Sequence, residues 1–319
     1  MRLLTAAAMA LAAFAGSAQA QDFPTKPVTF VVPFSPGGSN DIVGRQLATQ
    51  LSELWGQPVV VENRPGAGAT VGSAHVAAQP ADGYTIMIAS VTFTMNPAVQ
   101  QNLPFDPATD FTPVAMIGQV PLVIGARPDM PAESPQEFFD YLKANPGTLN
   151  YGATGVGSIQ HFAGELLNQA LGTDVQVVQY PGGGPAMTDV MGSHIEYSIG
   201  SMTQMLPQIR ASNIKPIAVT SAERSEAAPD VPTLQEAGLS DYEVLQWWGV
   251  LAPAGLPEET VAKLNTDINK VLATQKMKDF LAHEGGTPRQ MSQPEFATFM
   301  QANYDRWAKV AKSANITAQ

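Results

Sequence analysis

The sequence predicts an α/β protein with two lobes, each a mainly parallel sheet flanked by helices, joined by two hinge crossovers. Short β-branched runs alternate with segments of helical periodicity, a pattern typical of βαβ units. The roughly 300 residues after the N-terminal segment reach the size at which single cores stop growing, about 250–300 residues. Two glycine-rich turns also lie far apart in the chain, which favours one turn in each lobe.

The first 20 residues have the composition of a secretory signal peptide. Arg2 supplies the positive charge, residues 3–14 are apolar, and Ala18-Gln19-Ala20 forms an A-x-A cleavage site. The apolar stretch is shorter than the roughly 20 residues that span a bilayer. Because the chain has no cysteine, it lacks a thiol for lipid attachment. We therefore expect export to the periplasm.

Charge and composition exclude several classes of partner. The chain has 28 acidic and 17 basic residues, for a net charge of −11, which repels nucleic acids and anionic lipid. Its four histidines are scattered without metal-ligand spacing. We expect no cofactor, no metal, no nucleic-acid partner, and a monomer. Any anion must then be bound by short-range donors, since the overall field opposes it.

Strands and helices alternate through the first lobe. A β-branched run at 28–32, bounded by Pro27 and Pro33, predicts a buried strand, and 41–54 has helical spacing. Further strands are predicted at 59–61 and 84–89, with a helix of small residues at 67–78 between them.

The second lobe repeats this alternation, and two C-terminal helices follow it. The predicted strands and helices are 120–124, 134–144, 159–171, 175–179, 185–191, 195–199, 214–220, 257–285 and 294–314. The last two have no sheet of their own and should pack on the first lobe. The predicted division is 1–20 signal peptide, 21–121 with 248–319 lobe 1, and 122–247 lobe 2.

The first glycine-rich turn, Ser35-Pro36-Gly37-Gly38-Ser39-Asn40-Asp41, joins a strand to a helix start. Helix N-termini offer N–H donors and the positive end of the helix dipole, and glycine lets a ligand approach them. The turn has no Lys or Arg, so it predicts an anion site made of main chain; ordinary helix capping explains it equally well. Asp41 is interpreted either as a cap or as a partner for a ligand amide or ammonium.

Two further turns have the same character. Thr154, Gly155, Gly157 and Ser158 precede a helix that carries His161 in its first turn, where packing or capping competes with ligand contact. Tyr180-Pro181-Gly182-Gly183-Gly184-Pro185 follows a strand, and three consecutive glycines exceed what a plain turn requires.

Additional candidate contacts come from hydroxyl and aromatic side chains. Ser90, Thr92 and Ser201 could add hydroxyls, and Phe34, Phe93, Trp247 and Trp248 could form an aromatic wall. For the tryptophan pair, a roof over the cleft and filling of the inter-lobe core remain equal alternatives.

No recognised catalytic motif is present. The sequence has no G-x-S-x-G, S-x-x-K or H-E-x-x-H pattern, which argues against an enzyme. A hydrolase or isomerase that uses Asp41, Ser158 or His161 remains the competing hypothesis.

At these turns the chain resembles the solute receptors of tripartite tricarboxylate transporters, also called Bug-type receptors. The matching motifs run through most of the chain, namely 31–41, 60–68, 80–85, 150–158, His161 with 164–166, 180–186, 224–225 and 229–233. Phe162 stands where the family usually has leucine. The resemblance implies a two-lobed, type II-like periplasmic binding protein that closes on a small carboxylate.

The resemblance also implies how that carboxylate is held and where it goes. Backbone N–H groups of both lobes bind it, partly through waters, at residues 35–41, 154–158 and 180–184. The implied partner is a two-subunit membrane permease driven by an ion gradient. A sensor subunit for a two-component system is the alternative. Because Phe34, Phe93, Trp247 and Trp248 could make a flat aromatic cleft, an aromatic dicarboxylate is the expected ligand, and a hydrated, citrate-like acid is the alternative.

Overall fold

The computed structural model describes residues 23–100, 102–314 and 316. The proposed signal peptide lies outside these residues. The strands, in chain order, are β1 (Val28–Val32), β2 (Val59–Asn63), β3 (Thr85–Ser90), β4 (Phe111–Ala126), β5 (Asn150–Ala153), β6 (Gln176–Gln179), β7 (Tyr197–Ser201), β8 (Lys215–Val219), β9 (Leu245–Pro253) and β10 (Thr287–Pro288).

The helices alternate with these strands, as βαβ units require. They are α1 (Ser39–Trp55), α2 (Thr70–Ala77), α3 (Val91–Val99), α4 (Pro135–Ala144), α5 (Ile159–Leu171), α6 (Gly183–Met191), α7 (Met202–Arg210), α8 (Glu258–Ala273), α9 (Gln275–His283) and α10 (Gln293–Ser313). In the described chain, no helix is both long and apolar enough to cross a membrane.

Each lobe contains parallel strands whose following helices begin at one edge of the sheet. In the first lobe β1 pairs in parallel with β2 and β3. In the second, β5 pairs in parallel with β6 and β7. The strand order β2-β1-β3-β9-β4-β7-β5-β6 runs through both lobes, and β8 and β10 add to β4. The molecule is therefore a two-lobed α/β structure.

The long strand β4 belongs to both lobes. Its first part, Phe111 to Pro121, pairs antiparallel with β9. From Leu122 to Ala126 it pairs instead with β7 and β8. The change of partner between Pro121 and Leu122 is where this strand passes from one lobe to the other.

The strand register places the two sets of helix starts opposite one another. Ser90, at the end of β3, pairs with Trp248, which in turn pairs with Gly118 of β4. Ser201, at the end of β7, pairs with Leu122 of the same strand. These two points lie four residue steps apart along β4, about 13 Å at the rise of a β-strand. The carboxyl ends of β3 and β7 thus meet across a narrow gap, where ligands bind in open α/β sheets.

Two hydrophobic clusters cover the two faces of this continuous sheet. Alternate residues of a strand point to opposite faces, so Val31 lies in one cluster while Phe30 lies in the other. Trp247 and Trp248 divide between the clusters in the same way. The C-terminal helices follow the prediction: α8 packs on β4 and α1, and α10 packs on α3. Trp307 of α10 also meets Phe162 of α5 edge to face.

Three elements of the structure differ from the prediction. The helix predicted at 67–78 is a 3₁₀ turn, Ala67–Ala69, followed by the shorter α2, because Ala67, Gly68 and Ala69 have positive φ. The helical segment at 257–285 is broken at Thr274, whose backbone is extended and whose side chain caps α9. Residues 91–93, directly after the strand predicted at 84–89, begin the helix α3, which was not predicted.

Candidate functional site

Helices begin directly after the strand ends that border the gap between the lobes. The first four N–H groups of a helix have no partner inside it, and a side chain usually caps one of them. Ser134 and Thr274 do this for α4 and α9, which begin elsewhere. Within the described chain, no side chain caps α1, α3, α6 or α7. Four helix N-termini around the gap thus keep main-chain donors that side chains leave unused.

The carboxylate of Asp41 fixes the turn before α1 through hydrogen bonds. This carboxylate accepts hydrogen bonds from the Gly37 N–H (3.0 Å), Asn63 Nδ2 (2.8 Å) and Arg45 Nε (3.0 Å). Arg45 Nη2 also forms an ion pair with Oδ1 of Asp41, at 2.9 Å. Burial raises the pKa of Asp41, but the hydrogen bonds outweigh this effect and hold its pKa below the usual value.

Two predictions for this turn are therefore wrong. Asp41 does not cap α1, whose N-cap residue is Gly38; its carboxylate accepts from protein donors, and its pairing with a ligand amide or ammonium stays a prediction. The Gly37 N–H, expected to be an anion donor, is bound to Asp41. The donors that remain for an anion belong to the first turn of α1, beginning at Ser39.

The second turn satisfies most of its own donors, contrary to the prediction. Gly155 N–H donates to Gln179 Oε1 (2.9 Å), and Ser158 N–H donates to the carbonyl of Gly155 (3.1 Å). Ser158 Oγ caps α5 by accepting from the N–H of His161. The Thr154 hydroxyl donates to Gln160 Oε1 at 2.8 Å. This turn is a capped, internally bonded βα loop.

His161 is part of this internal bonding. Its Nδ1 accepts the Gly157 N–H at 3.2 Å, and the residue is nearly buried. Burial lowers the pKa of His161 and favours the neutral ring that this bond requires. His161 Nδ1 therefore holds the turn in place, in line with the packing or capping alternative, and a ligand contact by His161 stays a prediction.

The third turn is open in the way that the glycine pattern predicted. Gly182 is the N-cap residue of α6, and Gly183 and Gly184 form its first turn. A Cβ placed on Gly182 or Gly184 would meet no described atom within 4 Å, so both positions border open space. On Gly183 a Cβ would collide with the side-chain amide of Gln204, in the first turn of α7. Gln204 thus brings a side-chain amide beside these N–H groups.

Tyr180 supports this turn through its phenol. The hydroxyl donates to Asp189 Oδ2 at 2.6 Å, and its N–H donates to the carbonyl of Ala153. Burial, with the hydrogen bond to Asp189, raises the pKa of Tyr180 to about 12. This hydroxyl therefore ties the turn to α6, and a ligand contact by Tyr180 stays a prediction.

Ser90, Thr92 and Ser201 lie at the helix starts next to the crossover. Ser90 and Ser201 are buried N-cap residues of α3 and α7, and Thr92 is half-buried in the first turn of α3. Their placement follows from the register that brings β3 and β7 to the same stretch of β4. They remain candidate ligand contacts.

Comparison with known proteins shows the family of this chain. Residues 43–316 match the tripartite tricarboxylate transporter family receptor. The chain belongs to this receptor family. It is 33% identical to protein BugT of Bordetella pertussis over 306 residues, which is 95% of this chain and 94% of BugT.

Solved structures place the receptor among periplasmic binding proteins. Rpa4515 of Rhodopseudomonas palustris, solved with adipate, is 35% identical, with a TM-score of 0.88 over 92% of this chain and 99% of that one. MatC of the same organism, solved with bound malate, is 33% identical, with a TM-score of 0.83 over 90% of this chain and 99% of that one. The fold class and family expected from the sequence are confirmed.

The aromatic wall expected in this receptor is mostly absent from the gap as described. Trp247 is 2% exposed and packs edge to face on Phe296 and Phe299, so it fills the core. Trp248 is fully buried, and Phe93 stacks on Phe105 inside lobe 1. For Trp247 and Trp248 this burial favours the second alternative, filling of the core, and Phe93 likewise packs on apolar partners rather than forming a wall of the gap. Phe34 is half-buried at the first turn and remains a candidate.

Four polar residues that shape the receptor's turns were not predicted from the sequence. Arg45 and Asn63 bind Asp41, Gln204 lies against Gly183, and Gln246 donates to Ser39. Gln246 did leave a signal, since it is a polar residue in an otherwise apolar run at 245–251. In the part of the chain that the structure describes, His, Asp and Glu form no group of three that could hold a metal ion.

Proposed function

We propose that this receptor captures a small dicarboxylate in the gap between its lobes. The observation that carries the proposal is the pair of helices, α1 and α6, that start at this gap with glycine at the N-cap. Both present main-chain N–H groups and the positive end of a helix dipole to the same space. One helix belongs to each lobe, so a carboxylate bound by both favours the closed form.

The proposed site binds its anion through N–H groups rather than through an ion pair with a basic side chain. Arg45, which is close to the first turn, is committed to Asp41 and Asn63. Oriented N–H groups compensate a carboxylate through short hydrogen bonds, which are stronger when the acceptor is charged. This arrangement suits the acidic chain, because binding then depends on local donors rather than on the overall field.

An aliphatic dicarboxylate fits better than an aromatic one. Of the four aromatic residues expected in the gap, Phe93, Trp247 and Trp248 are buried in cores. Two family members of similar fold were solved with adipate and malate, both aliphatic dicarboxylates. We therefore propose a short aliphatic dicarboxylate, with Ser90, Thr92 and Ser201 as additional hydroxyl contacts.

The biological setting follows from family membership. We propose that the receptor works in the periplasm without chemical change to its ligand, and that lobes 21–121 with 248–319 and 122–247 close about β4 and β9. The closed form would deliver the acid to a two-subunit membrane permease driven by an ion gradient. The second candidate, a sensing subunit, would bind the same ligand but dock on a kinase.

Isothermal titration calorimetry tests the binding proposal. Adipate and malate should bind with one site per chain, benzene-1,4-dicarboxylate more weakly, and the diamine cadaverine not at all. Recovery of the ligand unchanged after incubation excludes the enzyme hypothesis. Absence of heat with every acid would contradict the proposal.

Gly184→Ala provides a sharper test because the new Cβ enters open space at the first turn of α6. Affinity should fall by about tenfold or more, since the methyl blocks approach to the N–H groups. The matched control is Gly192→Ala at the other end of α6, where a Cβ would lie 3.3 Å from its nearest neighbour. Equal affinity in both variants would contradict binding at this turn. Uptake in cells with and without the permease genes then separates transport from sensing.

A further inference from the structure

Gln246 is a buried polar residue in an apolar crossover strand. It is 5% exposed and lies between Leu245 and Trp247 at the start of β9. Its partner across the strand pair is Val120, one residue before β4 reaches Pro121 and leaves the first lobe. Burial of a side-chain amide is costly unless it is hydrogen-bonded, so its partner is informative.

That partner belongs to the proposed binding turn. Gln246 Nε2 donates to Ser39 Oγ at 2.7 Å, joining positions 207 residues apart in the chain. Ser39 is the first residue of α1, directly after Gly38. Because side chains alternate along β9, Gln246 and Trp248 point to the same face, and Trp248 lies in the cluster that contains Leu47 of α1. The strand alternation therefore aims Gln246 at the start of α1.

The hydrogen bond from Gln246 determines whether the Ser39 hydroxyl can donate its hydrogen to a ligand. A hydroxyl has one hydrogen to donate and two lone pairs to accept with, whereas the Gln246 nitrogen only donates. Once a Ser39 lone pair is filled by this N–H, the serine hydrogen points away from Gln246. It then remains available as a donor beside the N–H groups of the first turn.

We propose that Gln246 is a positioning residue that holds Ser39 as a hydroxyl donor to the carboxylate and ties the first turn to the crossover strand. This inference rests on the proposed function, because it assigns Ser39 to the same anion. It adds a physical link from the bound acid, through one side chain, to the strand that passes between the lobes. A carboxylate that binds Ser39 would thereby stabilise one position of that strand.

A double-mutant cycle tests the link with adipate as the probe. Gln246→Met keeps a long side chain but removes the donor, and its dissociation constant should rise about tenfold, as for a lost hydrogen bond to a charged group. Gln246→Glu keeps the shape but takes the serine hydrogen and adds a negative charge, so its affinity should fall further. In a Ser39→Ala background, Gln246→Met should have less than a twofold effect, because the two residues act as a unit.

Gln119→Met is the matched control. Gln119 lies on the neighbouring strand opposite Trp247, and its side-chain oxygen accepts from Arg289 at 2.8 Å rather than meeting α1. Its removal should change adipate affinity less than twofold. An equal loss of affinity in Gln246→Met with and without Ser39, or an equal loss in the control, would overturn the inference.

Hydrogen exchange of the ligand-free protein separates this inference from the proposed function. The amide of Ile42, which donates to the Gly38 carbonyl at 3.0 Å, and those of Val43 and Gly44 in the same helix should exchange several-fold faster in Gln246→Met than in wild type, and Gln119→Met should leave them unchanged. If the wild type binds no carboxylate, the proposed function fails while this measurement still decides whether Gln246 anchors the turn. Unchanged exchange in a folded Gln246→Met protein would refute the anchor.

Discussion

The Nδ1 atom of His161 accepts a hydrogen bond from the Gly157 N–H, and this bond exists only while the imidazole is neutral. Burial lowers the pKa of His161 in the folded protein. In the unfolded chain the ring takes up its proton at higher pH, near the ordinary value of about 6.5. Between these two pKa values the unfolded state binds more protons, so stability falls as pH decreases below about 6.5.

We therefore expect the free energy of unfolding of wild type to decrease from pH 7.5 to pH 5. His161→Gln, whose side-chain oxygen can accept from Gly157, should lose most of this slope. Urea denaturation at several pH values measures the effect. His283→Gln, at an exposed position on α9, serves as the control and should retain the wild-type slope. An unchanged slope in His161→Gln would contradict the assignment.

Asp41→Asn should destabilise the protein and loosen the first turn. The carboxylate has four protein contacts, from Gly37, Asn63 and twice from Arg45, and an amide cannot accept all of them. We expect a loss of about 1–3 kcal/mol in the free energy of unfolding at pH 7. Because the pKa of Asp41 is lowered in the fold, the wild-type advantage should disappear as pH falls through that pKa. Asp82→Asn, at an exposed ion pair, should cost less than about 1 kcal/mol.

Ala67→Gly should stabilise the protein. Ala67 is exposed with φ of +46°, a left-handed conformation that costs a side-chain-bearing residue about 1–2 kcal/mol. Glycine removes this cost but adds about 0.5–1 kcal/mol of chain entropy, which leaves a gain of up to about 1.5 kcal/mol. Thermal unfolding measures it. Gly68→Ala at φ of +62° should change stability in the opposite direction, and stabilisation by that variant would refute the argument.

Trp247→Ala should affect stability and leave ligand affinity intact. The indole is 2% exposed and surrounded by Phe296 and Phe299, so its removal creates a core cavity that costs about 3–5 kcal/mol. The milder Trp247→Phe keeps the protein folded for calorimetry with adipate. A tenfold loss of adipate affinity without loss of stability in Trp247→Phe would contradict this and indicate that Trp247 contacts the ligand.

The alternation of strands and helices was predictable because its periodicities are local properties of the chain. The strand at Val28–Val32 and the open turn at Gly182–Gly184 follow directly from β-branched residues and from consecutive glycines. The helix at Val91–Val99 did not, because its β-branched start and internal Pro97 favour other structures, and tertiary packing overrides them. Whether the N–H groups of Gly155 and Gly157 are occupied depended on Gln179 and His161, which only the fold brings to them.

The central claim is that main-chain N–H groups from two lobes hold one carboxylate. Amide ¹H–¹⁵N spectra recorded during an adipate titration test it most directly. We expect the amides of Ser39 and Asn40 and those of Gly183 and Gly184 to shift together with one dissociation constant. Binding seen by calorimetry with both sets of amides unmoved, or with only one set responding, would contradict it.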